Sequence, residues 1–150
     1  MIGEGTDLDA LRAEYAHCFG CGPDNPMGLH LHGFVRDGST VRAAFTPRPE
    51  YRGFADMLHG GVVATALDEI LAWTAILLAE TMVVTGKLEL RYRKPAPADG
   101  SYVLEGTLIE QRGRRLKLEG VCRIGDTVIA EASGLFLATG SAISSGADGR

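Results

Sequence analysis

The chain has 150 residues, 45% of them hydrophobic, and a net charge of -4 at pH 7. This length fits one domain with a real core, and the lack of a basic excess argues against a nucleic-acid-binding protein. Three cysteines are an odd number, and the first twelve residues carry acids and glycines instead of an apolar signal segment. We therefore expect a cytoplasmic protein in a reducing environment.

The first third of the chain alternates between polar segments and short apolar runs. Residues 1–16 are polar and predict at most a short helix. Residues 18–28 are crowded with Gly, Pro, Asp and Asn, which is typical of turns. Two strands are predicted at residues 29–35 and 40–45, and a loop rich in Pro and Arg follows from residue 47 to 57.

A long apolar run begins at His59-Gly60-Gly61 and continues to residue 79. The run is apolar on every side, which predicts a helix enclosed by the rest of the protein. It is also the membrane candidate of this sequence, but Asp68 and Glu69 lie inside it. A central Asp costs roughly 2.5–3.5 kcal/mol on insertion scales, and no Lys or Arg flanks the run closely. We therefore predict a core helix and no membrane association.

After this helix the hydrophobic period changes to two. Residues 87–93 alternate cleanly, with Leu88, Leu90 and Tyr92 on one face, and Pro95 follows. Three further strands are predicted at residues 102–110, 114–124 and 127–138.

The predicted order is two strands, one buried helix and four strands. A helix that is apolar all round needs a sheet curled about it, and a strongly twisted antiparallel sheet can provide this. We therefore predict an α+β fold in which about six antiparallel strands wrap around one long central helix. This domain spans residues 17–138, between an N-terminal segment at 1–16 and a disordered tail at 139–150.

The start of the helix indicates chemistry. Glycines at a helix N-terminus leave backbone N–H groups exposed at the positive end of the helix dipole, where an oxygen that becomes an anion is stabilised. Asp68 is a carboxylate in an apolar helix; the structural alternative is an internal cap or ion pair. Thioesters need only a carboxylate base and one or two amide donors. These residues therefore indicate hydrolysis of an activated acyl group.

Several local motifs point to a family. They are Cys18-Phe19-Gly20-Cys21-Gly22, Asn25-Pro26, Gly28-Leu29, His59-Gly60-Gly61 with Asp68 nine residues after the His, and Thr85 ten residues before Pro95. With the element order, they resemble the PaaI-type acyl-CoA thioesterases of the hotdog-fold superfamily, over residues 18–138.

The resemblance implies roles for four residues. It implies that Asp68 is the catalytic acid, as general base or nucleophile, and that the Gly60 N–H polarises the thioester carbonyl. It implies that His59 orients and hydrogen-bonds, and that the Thr85 hydroxyl helps to place the water.

The resemblance further implies a homodimer with active sites at its interface; a homotetramer is the alternative assembly. Acyl-CoA is the implied substrate, and no cofactor is expected because coenzyme A is part of that substrate. One departure stands out, since many relatives carry Asn six residues before the His, where this chain has Gly53.

The remaining predicted substrate-binding residues are Gly61, Glu69, Trp73, Arg91, Arg93, Lys94 and Arg114. The four cations could contact the phosphates of coenzyme A, and a solvated charged turn is the alternative. For Glu69 the alternative is an ion pair with an Arg. For Trp73 the alternative to the acyl pocket is the core.

Enough ligand atoms for a zinc site are present at His17, Cys18, Cys21, His30 and His32. The cysteines lie among turn-forming residues and the histidines alternate with leucines on a predicted strand, so we predict no metal site. Two other functions share this fold: a dehydratase or hydratase of acyl thioesters, and a non-catalytic acyl-CoA-binding module.

Overall fold

The computed structural model describes residues 13–142. Predictions for residues 1–12 and 143–150 lie outside the described residues. One helix, here called the central helix (Gly60–Ala79), lies against a six-stranded antiparallel sheet in the order β1-β2-β4-β5-β6-β3. The strands are β1 Val35–Asp37, β2 Thr40–Phe45, β3 Thr81–Tyr92, β4 Tyr102–Arg112, β5 Arg115–Ile124 and β6 Thr127–Ala142. The predicted architecture is confirmed.

The sheet approaches the central helix closely because glycines replace side chains at two contact points. A Cβ at Gly106 of β4 would collide with the hydroxyl of Thr74 on the helix. A Cβ at Gly120 of β5 would lie 2.8 Å from a methyl group of Leu71. Thr74 is fully buried and donates to the Ile70 carbonyl at 2.6 Å, so its hydroxyl is satisfied.

The central helix forms the middle of the core. His59 is the N-cap of the helix. Glu80 is its C-cap and adopts the left-handed conformation, with φ 53°. The helix is long and apolar enough to cross a membrane, with a mean hydropathy of 1.8, but more than half of this stretch is buried inside the structure. The core helix of a soluble protein can have the same length and composition, and the packing of this helix against the sheet accounts for its apolar residues.

The predicted strand at residues 29–35 is wrong, since only Val35 of this segment is in a strand. The segment bonds instead to the preceding turns, with Leu29 N–H donating to the Phe19 carbonyl at 2.8 Å. His30 and Gly33 adopt left-handed conformations, with φ 54° and 71°, and interrupt any extended strand. Residues 29–34 therefore form an irregular segment, in which Phe34 packs on Trp73 of the central helix.

Three strands are longer than their predicted limits, and β4 exceeds its limit only slightly, ending at Arg112. β3 begins at Thr81, six residues before the predicted start, and β6 continues to Ala142, into the segment predicted as a disordered tail from residue 139. The added residues of β3 pair with β6, as Val83 lies opposite Ala138 and Thr81 opposite Ala142. Their extended conformation comes from mutual pairing, which local alternation does not reveal.

Candidate active site

The N-terminus of the central helix presents one free amide. His59 caps the helix by accepting from the Gly61 N–H at its Nδ1 atom, at 2.8 Å. In a neutral imidazole the other nitrogen, Nε2, then carries the hydrogen and is a donor. Within residues 13–142 the Gly60 N–H has no acceptor, whereas that of Gly61 is occupied. The two predicted glycines therefore differ: the N–H of Gly61 is used by the cap, and that of Gly60 is available to a ligand.

Tyr92, at the end of β3, supports this helix turn. Its hydroxyl donates to the Gly60 carbonyl at 2.7 Å. Partial burial raises the pKa of Tyr92, which keeps the phenol protonated and able to donate at neutral pH. Alternation along the sequence places Tyr92 with Leu88 and Leu90 on an apolar face and does not reveal this contact. No local signal links positions that are 32 residues apart.

A cleft of roughly 500 Å³ opens beside Gly60. Its lining includes the apolar side chains of Phe54, Met57 and Val63 and, at one edge, Arg93 and Lys94. His59, Gly60 and Tyr92 also line it. The free amide therefore faces a space with an apolar wall and a cationic rim.

Gly53, which stands where the PaaI-type resemblance implies Asn, also lines this cleft. Its N–H donates to the Met57 carbonyl at 2.9 Å, which closes the loop before the helix. A Cβ at this position would lie 3.0 Å from the Cα of His59. The loop geometry therefore explains the glycine, because any side chain here presses on the backbone of the N-cap.

Asp68 and Thr85 lie in contact within one chain. The Thr85 hydroxyl donates to Asp68 Oδ1 at 2.8 Å. Asp68 is half-buried, Thr85 is exposed, and no second partner of the carboxylate occurs within residues 13–142. β3 has a register irregularity between Thr85 and Lys87 at this point. The second carboxylate oxygen is free for a reactant.

Gly60 and Asp68 are too far apart to act on one atom within a single chain. They are eight residues apart on the same helix, which is roughly 12 Å along its axis. A thioester carbonyl polarised by the Gly60 amide therefore lies out of reach of Asp68 of the same chain.

Two residues predicted to bind substrate lie elsewhere. Glu69 faces the turn that contains Cys18, whose thiol donates to Glu69 Oε1 at 3.5 Å. No ion pair of Glu69 occurs within the described residues, so the Arg pairing expected for it is wrong there. Trp73 is only 5% exposed and stacks on Phe34 with ring centroids 4.9 Å apart. Trp73 is a core residue and does not line the cleft.

The four predicted cations do not form one group. Arg93 and Lys94 line the cleft, and Arg93 also pairs with Glu131 at 2.8 Å. Arg91 lies in a groove on the sheet that contains several glutamates. Arg114 donates to the Ala138 carbonyl at 2.9 Å. Of these four residues, only Arg93 and Lys94 line the cleft beside Gly60, where a ligand could contact them.

A family model described as the thioesterase superfamily matches residues 55–131, about half of the chain. Acyl-coenzyme A thioesterase THEM4 of Bos taurus is 29% identical over 133 residues, which cover 87% of this chain and 54% of that protein. The chain thus spans about half the length of this curated relative.

Solved structures agree on the fold. Protein RHA08564, a thioesterase superfamily protein, superposes with a TM-score of 0.74 and 28% identity, covering 81% of this chain and 63% of that chain. Protein smu.793 of Streptococcus mutans UA159, solved bound to acetyl CoA, has a TM-score of 0.68 and 16% identity over 74% of this chain and 92% of that chain. The fold is the hotdog fold, and the chain belongs to the thioesterase superfamily.

Proposed function

We propose that this protein hydrolyses acyl-CoA thioesters to a free acid and coenzyme A, as the PaaI-type enzymes that it resembles do. The observation that carries the proposal is the Thr85–Asp68 hydrogen bond on a partly exposed face of the central helix. A carboxylate held by one hydroxyl, with its other oxygen free, has the form of a positioned general base or nucleophile. Membership of the thioesterase superfamily and the similarity to an acyl-CoA thioesterase support the same reaction.

The proposed chemistry starts at the thioester carbonyl. The Gly60 N–H donates to the carbonyl oxygen and stabilises the negative charge that develops there, aided by the positive end of the helix dipole. Asp68 either removes a proton from the attacking water or attacks the carbonyl carbon itself. The carbon–sulfur bond then breaks and coenzyme A leaves as a thiolate, which takes up a proton. Where Asp68 is the nucleophile, water then hydrolyses the mixed anhydride between Asp68 and the acyl group, and this step releases the free acid. This route uses no cofactor, because the thioester is already activated.

The active site is proposed to be shared by two copies of the chain. The roughly 12 Å between Gly60 and Asp68 along one helix prevents a single chain from placing both on one carbonyl. A two-fold dimer that sets the helices side by side and antiparallel brings Gly60 of one copy to Asp68 of the other. Each dimer then has two equivalent sites.

The cleft beside Gly60 is proposed to receive the substrate. Phe54, Met57 and Val63 provide an apolar wall for the acyl or pantetheine part, while Lys94 and Arg93 lie where a phosphate would gain from positive charge. The acetyl CoA bound to smu.793 is consistent with a coenzyme A ligand on this fold. Because Arg93 already pairs with Glu131, Lys94 is the stronger candidate for phosphate.

The test is thiol release from a panel of aromatic, short-chain and medium-chain acyl-CoAs, read with a thiol reagent. Asp68→Asn keeps an acceptor for Thr85 but removes the base, so kcat should fall at least ~10²-fold. Near-normal turnover by this variant would remove Asp68 from the mechanism. Tight binding of acyl-CoA with no thiol release by the wild type would contradict the thioesterase proposal.

A further inference from the structure

Two cysteines and a glutamate that the proposed reaction does not use form a cluster on another side of the central helix. Cys18 and Cys21 come from the turn at residues 18–22, and Glu69 comes from the helix, about 100° around the axis from Asp68. One ligand atom from each of the three lies within 4.8 Å of the other two. All three residues are half-buried, so the cluster is sheltered yet reachable from solvent.

The turn is built to hold this arrangement. The Gly22 N–H donates to the Cys18 carbonyl at 2.8 Å, which closes the Cys-x-x-Cys turn, and Leu31 N–H anchors the Gly20 carbonyl at 2.9 Å. A Cβ at Gly20 would collide with the side chain of Glu69. The glycine therefore lets the carboxylate enter the turn beside the two sulfur atoms.

The cluster is electrostatically unbalanced. The Glu69 carboxylate has thiol donors, which are weak, and no Lys, Arg or His pairs with it within residues 13–142. A cation at the centre would reverse this imbalance.

We propose that Cys18, Cys21 and Glu69 bind a thiophilic divalent cation, Zn²⁺ in the first instance. This replaces the sequence-based expectation of no metal site, which did not include Glu69 because its approach to the two cysteines depends on the fold. Thiolates and carboxylates are both zinc ligands, with Zn–S distances of about 2.3 Å and Zn–O distances of about 2.0–2.2 Å. The three ligand atoms lie within 4.8 Å of one another, which is close enough for all of them to bind one ion. Thiolate ligands disfavour Mg²⁺ and Ca²⁺. Binding releases the two thiol protons and any proton on Glu69, and a water completes a tetrahedral shell.

The bound ion acts as a clamp between the turn and the central helix. The adjoining segments cover Trp73 with Tyr15 and Phe34, whose rings lie 5.6 Å and 4.9 Å from the indole. Fixing the turn to Glu69 fixes this cover. The expected effect is on stability, since the ligands are distinct from Asp68, Thr85 and Gly60.

The experiment uses the full chain, freed of metal by a chelator and kept reduced with a phosphine. Zn²⁺ is titrated against a chromophoric chelator, and Co²⁺ is added separately to record its absorption. We expect one Zn²⁺ per chain, a higher Tm with Zn²⁺, and thiolate-to-cobalt charge-transfer bands. Cys18→Ser and Glu69→Gln should weaken binding by more than the roughly 10- to 100-fold that loss of an outer-shell partner costs.

Cys122→Ser is the matched control, because Cys122 is a buried thiol of β5 outside the cluster and should leave binding unchanged. Absence of stoichiometric Zn²⁺ binding, or a Co²⁺ spectrum without thiolate bands, would overturn the proposal. Binding that Glu69→Gln leaves unchanged would overturn it as well. The Co²⁺ spectrum is read on the wild-type chain, so the result does not depend on the folding of a variant.

Discussion

The role of the Gly60 amide can be tested by deleting a single N–H group. Gly60 is the first residue of the central helix, where proline is well tolerated because its missing N–H would lack a helical partner anyway. His59 before it has φ -61° and ψ 134°, the extended conformation that a following proline requires. Gly60→Pro therefore removes the proposed oxyanion donor with little disturbance of the backbone.

The magnitude follows from this geometry. Loss of one oxyanion donor lowers kcat about 10²–10³-fold. Folding should be retained, since replacing glycine at a compatible position stabilises by about 0.4–1 kcal/mol through the unfolded state. Gly60→Ala is the control: it keeps the N–H, and its Cβ would lie 3.7 Å from the Tyr92 ring, an ordinary contact.

The assay is thiol release from the preferred acyl-CoA, with Tm measured on the same samples. We expect Gly60→Ala to remain close to wild type and Gly60→Pro to lose turnover while staying folded. Equal turnover by the two folded variants would refute the assignment of the Gly60 amide as the carbonyl-polarising group.

Three further substitutions test the neighbouring contacts. Thr85→Val removes the hydroxyl that holds the proposed catalytic carboxylate. Because a hydrogen bond to a charged group contributes about 1.5–3 kcal/mol, kcat should fall about 10- to 100-fold. Thr85→Ser keeps a hydroxyl and should restore most of the lost activity. Wild-type kcat in the valine variant would show that the hydroxyl positions nothing. Tyr92→Phe should lower the free energy of unfolding by about 0.5–1.5 kcal/mol through loss of its bond to the Gly60 carbonyl, as read by urea denaturation. Gly53→Asn should lower the Tm because its Cβ presses on His59, and a Tm at or above wild type would mean that the loop has room.

Local patterns were sufficient to predict much of the fold. The His-Gly-Gly start and the following apolar run predicted a helix that begins at His59, and the structure begins it one residue later, at Gly60, with His59 as the N-cap. β2 occupies the predicted residues 40–45, bounded by the Gly38 turn and a proline-rich loop. Residues 29–35 were wrongly predicted as a strand, because histidines that alternate with leucines are typical of a strand. The left-handed conformation of His30 and the hydrogen bonds to the preceding turn come from tertiary packing, which the alternation does not show.

The candidate site was predictable mainly through the family resemblance, which implied roles for Asp68 and Thr85. The structure places these two residues in contact. The bond of Tyr92 to Gly60 joins residues far apart in the chain, as does the approach of Glu69 to Cys18. These contacts depend on how the sheet and the turns close over the helix, which neither periodicity nor composition specifies.

A shared active site requires Gly60 of one copy and Asp68 of another to act on the same thioester, and co-expression of two defective chains shows whether they do. One chain carries Gly60→Pro and the other Asp68→Asn, and each alone should be nearly inactive. In a mixed two-fold dimer one site has both defects and the other has none, so random pairing should restore about one quarter of wild-type thiol release per chain. A mixture that shows mixed dimers by mass spectrometry, yet is no more active than its parents, would contradict the shared site.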